Sequence, residues 1–134
     1  DYLKEICEKS PIPIALDEEL IQLKKDKNEF IKYISPQYLV LKPTLIGGFE
    51  ATKKWINIAE ENHINWWVTS ALESNVGLSA IAQFCANYPL TLPQGLGTGQ
   101  LFSNNIPSPL EIKGENIFYN ENKTWDLSNF EKVK

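Results

Sequence analysis

Three short, almost unbroken apolar runs punctuate the first half of the chain: Pro13 to Leu16 (PIAL), Tyr38 to Leu41 (YLVL) and Ile64 to Thr69 (INWWVT). Between them lie stretches whose apolar residues recur at helical spacing. This rhythm constrains the fold more than any other feature. Antiparallel strands can be joined by a tight turn, whereas consecutive parallel strands need a crossover of about a dozen residues or more, usually a helix. The intervening segments meet that requirement. The expected class is therefore α/β, with parallel strands alternating with helices and joined by right-handed crossovers. Strands that are apolar throughout imply burial on both faces.

The helical stretches can be placed from their spacing. Asp1 to Lys9 (DYLKEICEK) carries Leu3, Ile6 and Cys7 on one face and stops at Ser10-Pro11. Asn28 to Ile34 turns Phe30, Ile31 and Ile34 inward. Gly47 and Gly48 open a helix that runs to about Asn62, with Ala51, Trp55, Ile58 and Ala59 as its stripe. Asn75 to Asn87 presents Val76, Leu78, Ile81, Ala82 and Cys85. Leu92 to Leu101 (LPQGLGTGQL) is too glycine-rich for a long strand. After Phe102 the chain reads as irregular, with Leu110 to Lys113 and Ile117 to Tyr119 suited to a small hairpin.

Composition narrows the function classes. The 134 residues suffice for one domain, and 43% apolar content is ordinary for a globular chain. Net charge is -4, and Asp26 breaks up Lys24, Lys25 and Lys27, so no face is expected to track nucleic-acid phosphates. No apolar run approaches the roughly 18 residues of a membrane span, and no leader of secretory type is visible. The chain starts at Asp1 and not at Met, which is expected of a piece of a longer protein. Cys7 and Cys85 are far apart among helical apolar residues, so both are read as buried free thiols. Free thiols suit a reducing compartment, the cytoplasm.

In parallel α/β folds the polar residues at the C-terminal ends of strands line the site. The first run ends at Asp17, the second at Lys42 and the third at Thr69-Ser70; the fourth region holds Gly95, Gly97 and Gly99. A carboxylate is a hard-oxygen ligand for a cation such as Mg²⁺. A lysine can move a proton or stand as a fixed cation opposite developing negative charge. From these residues alone the chain is an α/β enzyme piece with an acid and a lysine in its mouth.

A resemblance carries the reading further. Ile14-Ala15-Leu16-Asp17-Glu18-Glu19-Leu20 resembles the fifth-strand motif of the o-succinylbenzoate synthases of the enolase superfamily. Leu39-Val40-Leu41-Lys42-Pro43-Thr44-Leu45-Ile46-Gly47-Gly48 is similar to their sixth-strand motif. Thr69 to Gly77 (TSALESNVG) is similar to the seventh-strand segment and Leu92 to Thr98 (LPQGLGT) to the eighth. The motifs follow in order across roughly residues 11 to 102.

The resemblance implies strands five to eight of a TIM-like (β/α) barrel. Residues 1–134 would be the C-terminal portion of its catalytic domain, without the capping domain and the N-terminal strands. It implies one Mg²⁺, with Mn²⁺ able to substitute, held by three carboxylates of which Asp17 is one; the other two, and a second-strand Lys-x-Lys pair, would lie upstream. Lys42 matches the sixth-strand lysine. The implied reaction is loss of water from a succinyl-hydroxycyclohexadiene carboxylate through an enediolate, giving o-succinylbenzoate for menaquinone synthesis. Thr69 and Ser70 would contact the succinyl end of this small carboxylate substrate, and Gly95 would let backbone approach it closely.

Plainer readings stand beside these. Asp17 could cap the following turn, and Lys42 could be an ordinary strand-end lysine. Glu18 and Glu19 read as solvated or as supporting residues, Glu73 as fixing its loop, Trp66 and Trp67 as core and helix-facing, and His63 as a helix-end residue. Gly95 to Gly99 lack the Lys-Ser/Thr of a phosphate cradle, and Asn122-Lys123-Thr124 is a sequon without meaning in a cytoplasmic chain. A racemase or epimerase of acylated amino acids or dipeptides, or a muconate-type cycloisomerase, would share the metal and lysine geometry. From another class, a non-catalytic α/β binding module would show no metal affinity. A half barrel leaves two strand edges and much of its inner face open, so the rest of the enzyme or a second copy is the expected partner.

Overall fold

A computed structural model describes residues 2–21 and 23–128; Asp1, the expected start of the first helix, lies outside them. The chain divides into two compact units. One runs to Ala71 and includes Leu90–Gly95; the other takes Leu72–Pro89 and the chain from Leu96 onward.

The first unit holds α1 (Tyr2–Lys9), β1 (Ala15–Leu16), α2 (Lys27–Ile34), β2 (Tyr38–Leu41), α3 (Pro43–Ile46), α4 (Gly48–Glu61) and β3 (Asn65–Val68), with a 3-10 turn at Glu18–Leu20. The strands form one parallel sheet in the order β1-β2-β3. Ala15 stands opposite Tyr38, and Tyr38 opposite Asn65. Past β3 the ladder continues as a single parallel bridge between Thr69 and Gly95. The fourth strand is thus reduced to one residue, as the glycine-rich sequence around it predicts.

Local chemistry explains the boundaries. Asp26 Oδ1 accepts the Glu29 amide at 2.9 Å, so α2 starts at Lys27, one residue earlier than its spacing suggests. Pro43 is compatible with a helical first turn, so a short α3 fits between Lys42 and the glycines. Gly47 ends it at φ 106 and starts α4, a backbone geometry that a side chain disfavours. Two glutamines complete strand ends: Gln37 Oε1 accepts the Ile14 amide at 2.8 Å, and Gln94 Oε1 accepts the Val68 amide at 2.7 Å.

Side chains alternate across the sheet. Leu16, Leu39, Leu41 and Val68 share one face and are buried, where α4 packs on β2 and β3. The other face keeps solvent access at most positions: Ala15 and Asn65 are exposed, and Tyr38 and Trp67 are half-buried, their rings 5.8 Å apart, with only Val40 among them buried. The strand pattern alone implies burial on both faces, and apolar content does not supply the covering layer; the open inner face is the one expected of a half barrel. It also separates the two tryptophans, since Trp67 lies on the open face and only Trp66 on the helix side.

On α4 the buried residues are Thr52, Trp55, Ile56 and Ala59, so Ile56 takes the place expected of Ile58. Thr52 can be buried because its hydroxyl donates to the Gly48 carbonyl at 2.9 Å.

The second unit holds α5 (Asn75–Cys85), a 3-10 turn (Thr98–Leu101) and the antiparallel hairpin β4 (Leu110–Lys113) and β5 (Asn116–Tyr119). Leu78, Ile81 and Cys85 are buried as expected, together with Ser79 and Phe84, whereas Val76 is exposed. Asn105 fastens the glycine-rich turn to α5: its Oδ1 accepts the Asn75 amide at 2.8 Å and its Nδ2 donates to the Gly99 carbonyl at 2.8 Å. Glu111 anchors the tail by accepting from Lys123, Asn120 and Lys113. Those three donors hold its carboxyl at a pKa of about 2. Among the described residues no helix is long and apolar enough to cross a membrane, and both cysteines are free and buried.

Candidate active site

The site residues gather where β1, β2 and β3 end. Asp17 follows β1 directly, and Lys42 follows β2 in extended backbone as the residue before α3. Because the two strands are parallel neighbours, their C-terminal ends open on the same side. Lys42 Nζ donates to Asp17 Oδ2 at 2.7 Å and reaches Glu18 Oε1 at 3.3 Å. The pair is half-buried, with side-chain exposures of 18% for Lys42 and 30% for Asp17.

The pKa of the Lys42 ammonium is raised above its ordinary value, chiefly by the hydrogen bond it donates to Asp17 and against the opposing effect of burial, with Glu18 adding to the rise. At neutral pH it is a held cation. The neighbouring acids divide the work. Glu19 Oε2 accepts the Asp17 amide at 3.1 Å and so pins the backbone that carries the carboxylate. Glu18 is a second, more exposed partner for the ammonium.

One oxygen of Asp17 remains apart from this network. Asp17 Oδ1 is buried and accepts no hydrogen bond from the described residues, an expensive condition for a carboxylate oxygen unless another donor or a cation meets it. It is a hard-oxygen donor suited to one coordination position of a divalent cation. Among the described residues no three His, Cys, Asp or Glu side chains converge as a complete metal site.

Thr69 and Ser70 lie at the end of β3, facing Gly95. The Gly95 amide donates to the Val68 carbonyl at 2.9 Å, and the Gly95 carbonyl accepts the Ser70 amide at 3.0 Å. The same carbonyl accepts Thr69 Oγ1 at 2.8 Å and Ser70 Oγ at 3.2 Å. The close approach at Gly95 is made by Thr69: a Cβ added there would stand 2.7 Å from Thr69 Cβ. All five residues singled out by sequence fall in the first unit. Sequence reasoning missed the specific roles of Glu18, Glu19 and Gln94, since nothing in the residue pattern separates an acid that holds a neighbour from one that is merely solvated.

Comparison with known proteins places this architecture. The model of the family described as enolase C-terminal domain-like matches residues 1–119. The chain belongs to that family. This enolase C-terminal domain-like chain is 54% identical over 110 residues to an o-succinylbenzoate synthase of Desulfotalea psychrophila, a match spanning 81% of this chain and 30% of that protein. Its structure is similar to the crystal structure of MenC from Desulfotalea psychrophila, with a TM-score of 0.81 and 52% identity, covering 86% of this chain and 33% of the other. The L-Ala-D/L-Glu epimerase from Bacillus subtilis superposes with a TM-score of 0.75 at 21% identity, covering 86% and 32%, a likeness that bears on the fold alone. The fold is thus the TIM-barrel-like half of an enolase C-terminal domain. The chain spans about a third of the length of the relatives it matches.

Proposed function

We propose that this chain is the C-terminal part of the catalytic barrel of an o-succinylbenzoate synthase, a carbon–oxygen lyase of menaquinone synthesis that removes water from a succinyl-hydroxycyclohexadiene carboxylate. The observation that carries the reading is the 2.7 Å contact between Lys42 Nζ and Asp17 Oδ2 across the ends of adjacent parallel strands. The 54% identity to the synthase of Desulfotalea psychrophila supports this substrate class over the others of the superfamily.

The proton to be removed lies α to a carboxylate and is only weakly acidic, so the barrier is dominated by negative charge building on that group. Lys42, held as an ammonium by Asp17 and Glu18, provides a fixed cation opposite that charge. Its three donors would let it keep one carboxylate partner while meeting the substrate. Asp17 would offer Oδ1 as one ligand of a Mg²⁺ or Mn²⁺ ion, and carboxylates from the remaining part of the enzyme would complete the set. When bound, such an ion supplies Lewis-acid stabilisation of the substrate carboxylate. Thr69, Ser70 and Gly95 would form the wall against the succinyl end.

Residues 1–134 would accordingly depend on the remaining part of the enzyme, or on a second copy, to complete the barrel, and would work in the cytoplasm. The test is a substrate panel with the full-length enzyme and Mg²⁺. Conversion of the cyclohexadiene carboxylate ahead of N-acylamino acids, dipeptides and muconate is expected. Preference for one of the others would replace this reading with a racemase, epimerase or cycloisomerase, and no turnover or metal affinity at all would favour a binding module.

A further inference from the structure

We infer that Thr69 is a positioning residue that acts through Gly95, fixing the wall against which the far end of the substrate is gripped; this rests on the function proposed above. Both backbone groups of Gly95 are committed. Its amide goes to the Val68 carbonyl and its carbonyl accepts the Ser70 amide. That carbonyl also takes the Thr69 hydroxyl at 2.8 Å and the Ser70 hydroxyl at 3.2 Å. A carbonyl oxygen has two lone pairs, so three donors leave it no capacity for a ligand.

The Thr69 hydroxyl is likewise turned onto backbone, with the Ser70 carbonyl as its longer alternative at 3.2 Å. Its hydroxyl oxygen, and next its Cβ at 2.7 Å, crowd the place where any larger residue at position 95 would put its own Cβ. Glycine at 95 and threonine at 69 are therefore one interlocked pair. The pair holds the single bridge that joins the fourth strand to β3. Removing the lock would let that strand end shift against the sheet while leaving Asp17 and Lys42 in place.

The test is steady-state kinetics and thermal melting of the full-length enzyme carrying Thr69→Val, Thr69→Ser, Gly95→Ala, Thr69→Gly, and Thr69→Gly with Gly95→Ala. Loss of the hydroxyl in Thr69→Val should raise KM about five- to tenfold with kcat kept within about twofold, because the grip and not the chemistry is disturbed. Thr69→Ser should restore KM. Gly95→Ala should lose at least about a hundredfold in kcat/KM, and Thr69→Gly in the same chain should recover about tenfold or more, the non-additivity expected of residues in contact. An unchanged KM in Thr69→Val, or a double variant no better than Gly95→Ala alone, would overturn the inference. If the wild-type enzyme turns over no cyclohexadiene carboxylate, the proposed function falls separately. The lock is then judged by melting: recovery of the Gly95→Ala midpoint by Thr69→Gly supports it, and additive losses refute it.

Discussion

At the scale of single residues, the half-buried pair of Lys42 and Asp17 ties stability to the proposed function. The folded-state pKa of Lys42 lies above its ordinary value of 10.5. The stabilisation it contributes is therefore fully present below that value and is lost as pH rises through the folded value. The melting-temperature gap between wild type and Lys42→Met in the full-length enzyme should be constant through neutral pH and should narrow above about pH 10.5; a gap that widens there would contradict the ion pair. The strand-end placement of Asp17 and Lys42 was legible in the sequence because each follows an apolar run. Glu18 and Glu19 were not, because their partners are set by side-chain rotamers beyond the strand. The closeness of Thr69 to Gly95 was equally hidden, since it depends on a lateral pairing across 26 residues.

At the scale of elements, the sequence located the three paired strands and the longer helices, since apolar periodicity reports directly on burial, but it missed α3 (Pro43–Ile46), which is too short to show a period. It erred where a local bond changes the rule. Thr52 is buried through its bond to the Gly48 carbonyl, so the α4 stripe rotates toward Ile56. Trp55, wholly buried at 0% exposure, is the centre of that stripe and carries the Lys27 ammonium 4.9 Å over its ring. Trp55→Ala should cost about 3–5 kcal/mol in urea denaturation of the full-length enzyme, the range for a large buried aromatic. In α5, burial pushes the Cys85 thiol up to about 11. At pH 8 neither cysteine of this chain should react with an aromatic disulfide reagent until denaturant is added, and fast labelling of the native enzyme at position 85 would argue against the packing of α5.

At the scale of the whole molecule, a three-stranded parallel sheet with one face against helices and the other open to solvent cannot enclose a substrate. Asp17 offers a single ligand oxygen, and the chain spans about a third of its relatives. Residues 1–134 alone, assayed with Mg²⁺ and the cyclohexadiene carboxylate, should show no turnover above a metal-free control. The open inner face is what a half barrel implies, although the apolar strands by themselves suggest burial on both sides. The most direct measurement of the central claim is turnover by the full-length enzyme bearing Lys42→Ala with its fold verified by circular dichroism. A fall of about a thousandfold or more in kcat, comparable to loss of a group acting on the reacting charge, is predicted; retention of most of the wild-type rate would contradict the account.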